Sequence, residues 1–224
     1  MLTFLIFRAY STIGPRLKAW ERALIEIPPL TFDILIGLML GDGHIQRRTT
    51  TGNSRLMYAQ SGKPNKIEYF NLVFSYFSIF CTVNYTPEIR TNLNGRNGET
   101  YLVISFATMQ LVCFNFIHSL FYQDKTKIVP YDIFDLLKPI GLAFLIMDDG
   151  SRQNDGLHLS VYSFDTESVD RLLKTLRDKF NLKCSIHKHD RGPRIYIWAE
   201  SMPHLRSLVG EFIIPSMSYK IGAN

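Results

Sequence analysis

Cysteine is scarce in this sequence. Cys81, Cys113 and Cys184 form no C-x-x-C pair and sit in apolar or strand-like surroundings, which excludes a disulfide framework and argues against a zinc site. They read as reduced core residues of an intracellular protein. Long apolar runs are missing too: "MLTFLIF" is too short to span a bilayer and is stopped by Arg8, and the following "STIGPRLKAWERALIEIPPL" mixes charges throughout. Neither a secretory cleavage pattern nor an Arg-rich, acid-poor transit peptide is present. Acids are outnumbered, 20 Asp+Glu against 25 Lys+Arg, for a formal net charge of +5.

What is present is an ordinary globular composition, 46% hydrophobic over 224 residues, enough for one large domain or two closely packed ones of about 100 residues each. Such a composition argues against disorder. A pI near 9.1 with 13% aromatic residues suits a nucleic acid or an anionic membrane as partner. The membrane is the weaker choice, because the basic residues fall on strand-like segments rather than along one amphipathic helix.

The stretch "LIGLMLGDGHIQRR", Leu35 to Arg48, joins an apolar helical run to Gly-Asp-Gly and a basic segment. A carboxylate at a helix C-terminus is unfavourable by roughly 0.3 to 1 kcal/mol unless a cation answers it. The pattern recurs in "LAFLIMDDG", Leu142 to Gly150, where Leu35, Leu38, Asp42 and Gly43 superimpose on Leu142, Leu145, Asp149 and Gly150. In this register Asp148 falls opposite Gly41.

Similar orders follow the two copies. After the first come strands in "HIQRRTT" and "SRLMYAQS", a helix from Pro64 to Phe80, strands in "VNYTPEIRT" and "ETYLVISFA" joined by "NLNGRNG", and a helix from Met109 to Tyr122. After the second come a short polar segment from Ser151 to Gly156 and a strand "LHLSVYS". A helix from Asp165 to Phe180 with Asp165 as N-cap follows, then a hairpin "KCSIHKH" to "PRIYIWA" and a last helix from Ser201 to Phe212. The chain divides into an N-terminal extension (1–27), a first half (28–127), an ordered connection (128–140) and a second half (141–224).

Alternation sorts the strand faces. Ile45, Ile195 and Ile197 face a core, while His44, Gln46, Arg48, Arg194, Tyr196 and Trp198 point the other way. Cations outnumber acids there: Arg47, Arg48, Arg55, Lys63 and Lys66 in one half, and Arg152, Lys183, Lys188, Arg191 and Arg194 in the other. Such a surface is suited to gripping phosphates and reading base edges.

From about Pro28 to Ile221, the two Asp-Gly-ended helices and the repeated αββαββα order resemble a single-chain, two-motif LAGLIDADG homing endonuclease of the group I intron-encoded type. The resemblance implies an α+β fold of two pseudo-symmetric halves, with the motif helices packed at the centre and antiparallel sheets forming a saddle over double-stranded DNA. It makes Asp42 and Asp149 the catalytic, metal-binding acids. Two carboxylates brought together repel until hard cations such as Mg2+ occupy the site, with Mn2+ or Ca2+ as substitutes in binding. Backbone oxygens of Gly41 and Asp148 are further metal-ligand candidates. Lys127 and Lys220, late in each half, take the place of lysines that approach the active-site water or phosphate. Gln60 resembles a water-positioning residue, with Tyr162 standing opposite it in the second half. Gly37 and Gly41 face the larger Phe144 and Asp148 in register, which implies an asymmetric helix crossing. The resemblance further implies a monomer, an asymmetric target, and a mitochondrial location ahead of a chloroplast one. The rival readings are an RNA-binding maturase for a group I intron and a DNA-binding regulator without chemistry.

Overall fold

The computed structural model describes residues 17–92 and 100–222. The apolar start "MLTFLIF" and most of the Gly/Asn-rich connection "NLNGRNG" lie outside them. A short helix, α1 (Ala19–Ala23), precedes the first motif helix, α2 (Pro29–Leu40). The first half continues as β1 (His44–Gln46), β2 (Arg55–Ser61), α3 (Pro64–Phe77), β3 (Ile89–Asn92), β4 (Tyr101–Ala107) and α4 (Cys113–Phe121). A hairpin of β5 (Tyr122–Gln123) and β6 (Thr126–Lys127) and a turn of helix, α5 (Ile133–Leu136), lead to the second motif helix, α6 (Pro139–Asp149). The second half then runs β7 (Gly150–Gln153), β8 (Gly156–Ser160), α7 (Thr166–Asp178), β9 (Cys184–His187), β10 (Arg194–Ile197) and α8 (Met202–Val209), ending in a 3-10 helix, Pro215–Ile221.

The two sheets are antiparallel and share one strand order, β1-β2-β4-β3 and β7-β8-β10-β9. This is the α+β, pseudo-symmetric αββαββα plan. Compactness nevertheless divides the chain differently from its sequence halves. One unit holds 17–31 and 43–118; the other holds 32–42 and 119–222, so most of the first motif helix packs with the second half.

In the first unit, α3 covers one sheet face with an aromatic core in which Phe70 meets Tyr58 and Phe106, and Phe77 stacks on Phe106. In the second unit, Leu157, Leu159, Ile195 and Ile197 are fully buried on the corresponding face. Asp165 caps α7 by accepting from the Ser168 N–H at 2.7 Å, which holds its carboxyl below the usual carboxylate range. Cys81 and Cys184 are buried and Cys113 half-buried, and burial pushes all three thiols up to about 12.

Several boundaries differ from the sequence reading. The segment "HIQRRTT" is strand only to Gln46, because Arg47 turns back to bond the carbonyls of Thr50 and Gly52. "VNYTPEIRT" becomes strand only at Ile89, after Pro87, which cannot donate to a ladder. The polar segment after the second motif is itself the edge strand β7, returned to β8 through Asn154 at φ 51°, a left-handed position that Asn tolerates.

Candidate active site

The site is built on the ends of the two motif helices. Both are apolar all round rather than amphipathic: Ile34 to Leu40 and Leu142 to Met147 are buried throughout. Helices of this kind must be enclosed on every side. Two glycines let them meet, since a Cβ added to Gly37 would lie 2.0 Å from the carbonyl oxygen of Gly141. The close approach therefore pairs Gly37 with Gly141 instead of with its register counterpart Phe144, which makes the crossing asymmetric.

Four residues further on, Gly41 meets Asp148: a Cβ there would stand 2.6 Å from Asp148 Oδ2. The ladder of α2 ends as Gly41 donates to Gly37 at 3.2 Å and to Leu38 at 3.0 Å. The next N–H, that of Asp42, donates to Asp148 Oδ2 at 3.2 Å. Asp42 is exposed and Asp149 half-buried, while Asp148 is 8% exposed.

The cations that the helix ends require are lysines. Lys127 on β6 donates to the Gly41 carbonyl at 3.1 Å. Lys220 donates to the carbonyls of Ile146 at 3.1 Å, Asp148 at 3.2 Å and Met147. Gly41 and Asp148 are equivalent in the two motifs, so each late lysine caps the matching C-terminus in its own half. Burial drives the Lys127 ammonium down to about 8, against the pull of Asp149, Asp148 and Asp42. Those three carboxylates thus act on one ammonium. The carbonyls of Gly41 and Asp148 each accept from a lysine, so a positive charge stands against both.

Among the described residues no three His, Cys, Asp or Glu side chains gather into a metal-holding group. Among the described residues the helix ends offer two carboxylates, those of exposed Asp42 and half-buried Asp149. That fits a Mg2+-like ion, which characteristically takes one or two carboxylates and completes its shell with water and substrate phosphate.

Gln60 lies in the first unit, buried on β2, with Nε2 donating to Tyr58 Oη at 3.2 Å. The ladders correct its counterpart. His44 pairs with Met57 and Ser151 with His158, so Met57 matches His158, Gln60 matches Val161, and Tyr162 matches Ser61. The second half holds a buried aliphatic residue where the first holds the amide.

On the open face of the first sheet stand His44, Gln46 and Arg55, with Gln46 Oε1 accepting from Arg55 at 2.7 Å and 3.0 Å and from Arg48 at 3.3 Å. Arg47 and Arg48 follow the strand in the loop. Lys63 stands at the N-cap position and Lys66 in the first turn of α3, just past the end of β2. The ladders add Arg90 and Asn92 to the open face.

On the second sheet Arg194 and Tyr196 share the open face, and Arg194 donates to Tyr162 Oη. Exposed Trp198 donates to Ser185 Oγ at 2.9 Å. Lys188 and Arg191 are exposed around the hairpin turn, and Lys183 is paired with Glu200 at 3.0 Å. Arg152 is corrected: it matches the inward Ile45 and pairs with buried Leu157, so its side chain leaves on the core side near Gly222. His158 and His187, with ring nitrogens 3.2 Å apart, belong to the open face and were missed. Counting alternation outward from Tyr196 through the ladder would have found them. Burial, then His187, Arg194 and His189, push His158 below its ordinary value.

Residues 32–205 match the model of the LAGLIDADG DNA endonuclease family. The cytochrome b mRNA maturase bI2 of Saccharomyces cerevisiae is 34% identical over 88% of this chain and 49% of its own. This chain therefore spans about half the length of that relative. The cytochrome b mRNA maturase bI2 of Debaryomyces hansenii is 33% identical over 85% of this chain and 72% of its own. A solved structure, the homing endonuclease I-WcaI bound to its DNA recognition sequence, superimposes with a TM-score of 0.84 at 25% identity, covering 97% of this chain and 98% of that one. With paired Asp-Gly-ended helices, repeated sheets and a family match over most of its length, the chain belongs to the LAGLIDADG DNA endonuclease family.

Proposed function

We propose that this protein is a divalent-metal-dependent endonuclease that cuts both strands of a long, asymmetric duplex DNA target across the minor groove. The observation that carries the reading is the junction of the motif helices, where Asp42, Asp148 and Asp149 act on one buried ammonium and lysines cap equivalent helix ends. Asp42 and Asp149 would hold Mg2+, with Mn2+ or Ca2+ able to replace it in binding and the Gly41 and Asp148 carbonyls as secondary ligands. When bound, the metal would acidify an attacking water and offset charge on the leaving 3′ oxygen.

Lys127 and Lys220 hold the two helix ends in place and set positive charge behind the carboxylates. The water-orienting role of Gln60 rests on the family resemblance alone, because its side chain is buried on the covered face of β2. DNA contact falls to His44, Gln46, Arg47, Arg48, Arg55, Lys188, Arg191, Arg194, Tyr196 and Trp198. Lys183 joins them once its exposed pair with Glu200 opens, a pair worth at most about 1 kcal/mol. Arg152 leaves the base-reading set, since its side chain starts from the covered side of its sheet, while Lys63 and Lys66 at the start of α3 keep a phosphate-contacting role.

Two unlike halves in one chain need no palindrome, which supports a monomer. The DNA-bound relative supports a duplex partner. The two maturase relatives favour a second reading, assistance to splicing of a group I intron RNA, and a mitochondrial site of action ahead of a chloroplast one. Incubation with a randomised duplex library plus Mg2+, followed by sequencing of cut ends, tests the first reading. A single recovered site with paired, offset cuts is expected. An uncut library alongside accelerated splicing of the parent intron would favour the second.

A further inference from the structure

The side-chain carboxylate of Asp148 is assigned no metal or substrate above, only a pull on Lys127. We infer that Asp148 is a positioning residue that holds the backbone of Asp42, the acid of the opposite motif helix, and so sets where that acid's side chain stands. The catalytic consequence rests on the nuclease reading; the positioning itself does not.

The two helices end differently. In α6 the ladder runs through Asp149 and on to Gly150, whose N–H still reaches the carbonyl of Ile146, so Asp149 is fixed by its own helix. The ladder of α2 stops at Gly41. Asp42 is held from outside, by Asp148 Oδ2 at 3.2 Å. A carboxylate oxygen accepts readily from a backbone N–H, and Asp148 is only 8% exposed, so water competes little for the bond.

The arrangement needs glycine at 41. A Cβ there would lie 2.6 Å from Asp148 Oδ2 and 2.7 Å from Asp148 Cβ. Gly41 and Asp148 are equivalent positions, so where the two helices meet only one half has room for a side chain. The second half supplies it, and the two catalytic acids are thereby held by different means.

The test compares Asp148→Ala and Asp148→Asn in the full chain, reading amide hydrogen exchange at Asp42 without metal, single-turnover cleavage with Mg2+, and DNA affinity. Asp148→Ala should speed Asp42 exchange about tenfold and slow cleavage about tenfold, with affinity unchanged. Asp148→Asn keeps an oxygen acceptor and should restore both. Unchanged Asp42 exchange in the alanine variant, an asparagine variant no better than alanine, or loss of protection across the whole unit would each overturn the assignment. If the protein cuts no DNA at all, the exchange measurement still decides it.

Discussion

Lys127 is the residue with the clearest pH signature. Its folded value, about 8, lies below the ordinary lysine value, so between pH 8 and 10.5 the unfolded chain binds more protons than the folded one. Folding stability from this group is therefore lost as pH falls through 8 and recovered as pH rises toward 10.5. Metal-free unfolding measured across that window should show the native protein gaining stability over Lys127→Met at roughly 1 kcal/mol per pH unit; parallel curves would refute the buried ammonium. The sequence made both lysines visible through their late positions in each half. What they touch was not visible, because it depends on a two-residue hairpin and a 3-10 helix that carry no periodic signal. The missed parity of Arg152 has a simpler cause. Its charge suggested an outward side chain, while the alternation begun at Gly150 places it inward, and at the sheet edge an arginine satisfies both by reaching round to solvent.

Among the elements, the motif helices were the most legible and their contact the least. Apolar runs ending in Asp-Gly fixed their position, but register alone could not show that Gly37 would meet Gly141. A methyl group at Gly37 would press on backbone, which has nowhere to move, whereas Gly210 has nothing within 4 Å of its added Cβ. Urea unfolding should find Gly37→Ala destabilised by about 1 to 3 kcal/mol or more and Gly210→Ala neutral or slightly stabilised. Equal effects at the two sites would mean that the helices do not meet through Gly37. The helices and strands that were read correctly carry strong local signals, such as the Asp165 cap and the alternating Ile195 and Ile197. Edge strand β7 has only Gly, Ser, Arg and Gln, a composition with no strand preference, so pairing with β8 decides it.

For the whole molecule, repetition was the informative feature. Helix, two strands, helix, two strands, helix in the first half, and the same order with a polar segment in place of one strand in the second, gave the fold, and the structure returns it as one strand order in both sheets. The boundary between units was not legible, because a helix near the start of one half spends most of its length in the other unit, and only close glycine packing reveals that. A net charge of +5 gathered partly on open sheet faces predicts phosphate contact. With about eight phosphates gripped, log affinity for DNA should fall against log salt with a slope near −7. A flat response in a filter-binding or anisotropy titration would remove the sheets as the DNA surface.

The paired acids carry the account, and they can be tested without knowing anything else about the target than one sequence that is cut. Asp42→Asn and Asp149→Asn should each abolish or severely impair Mg2+-dependent cleavage of that duplex while leaving its affinity for the protein largely intact. Full turnover by either variant would contradict the assignment.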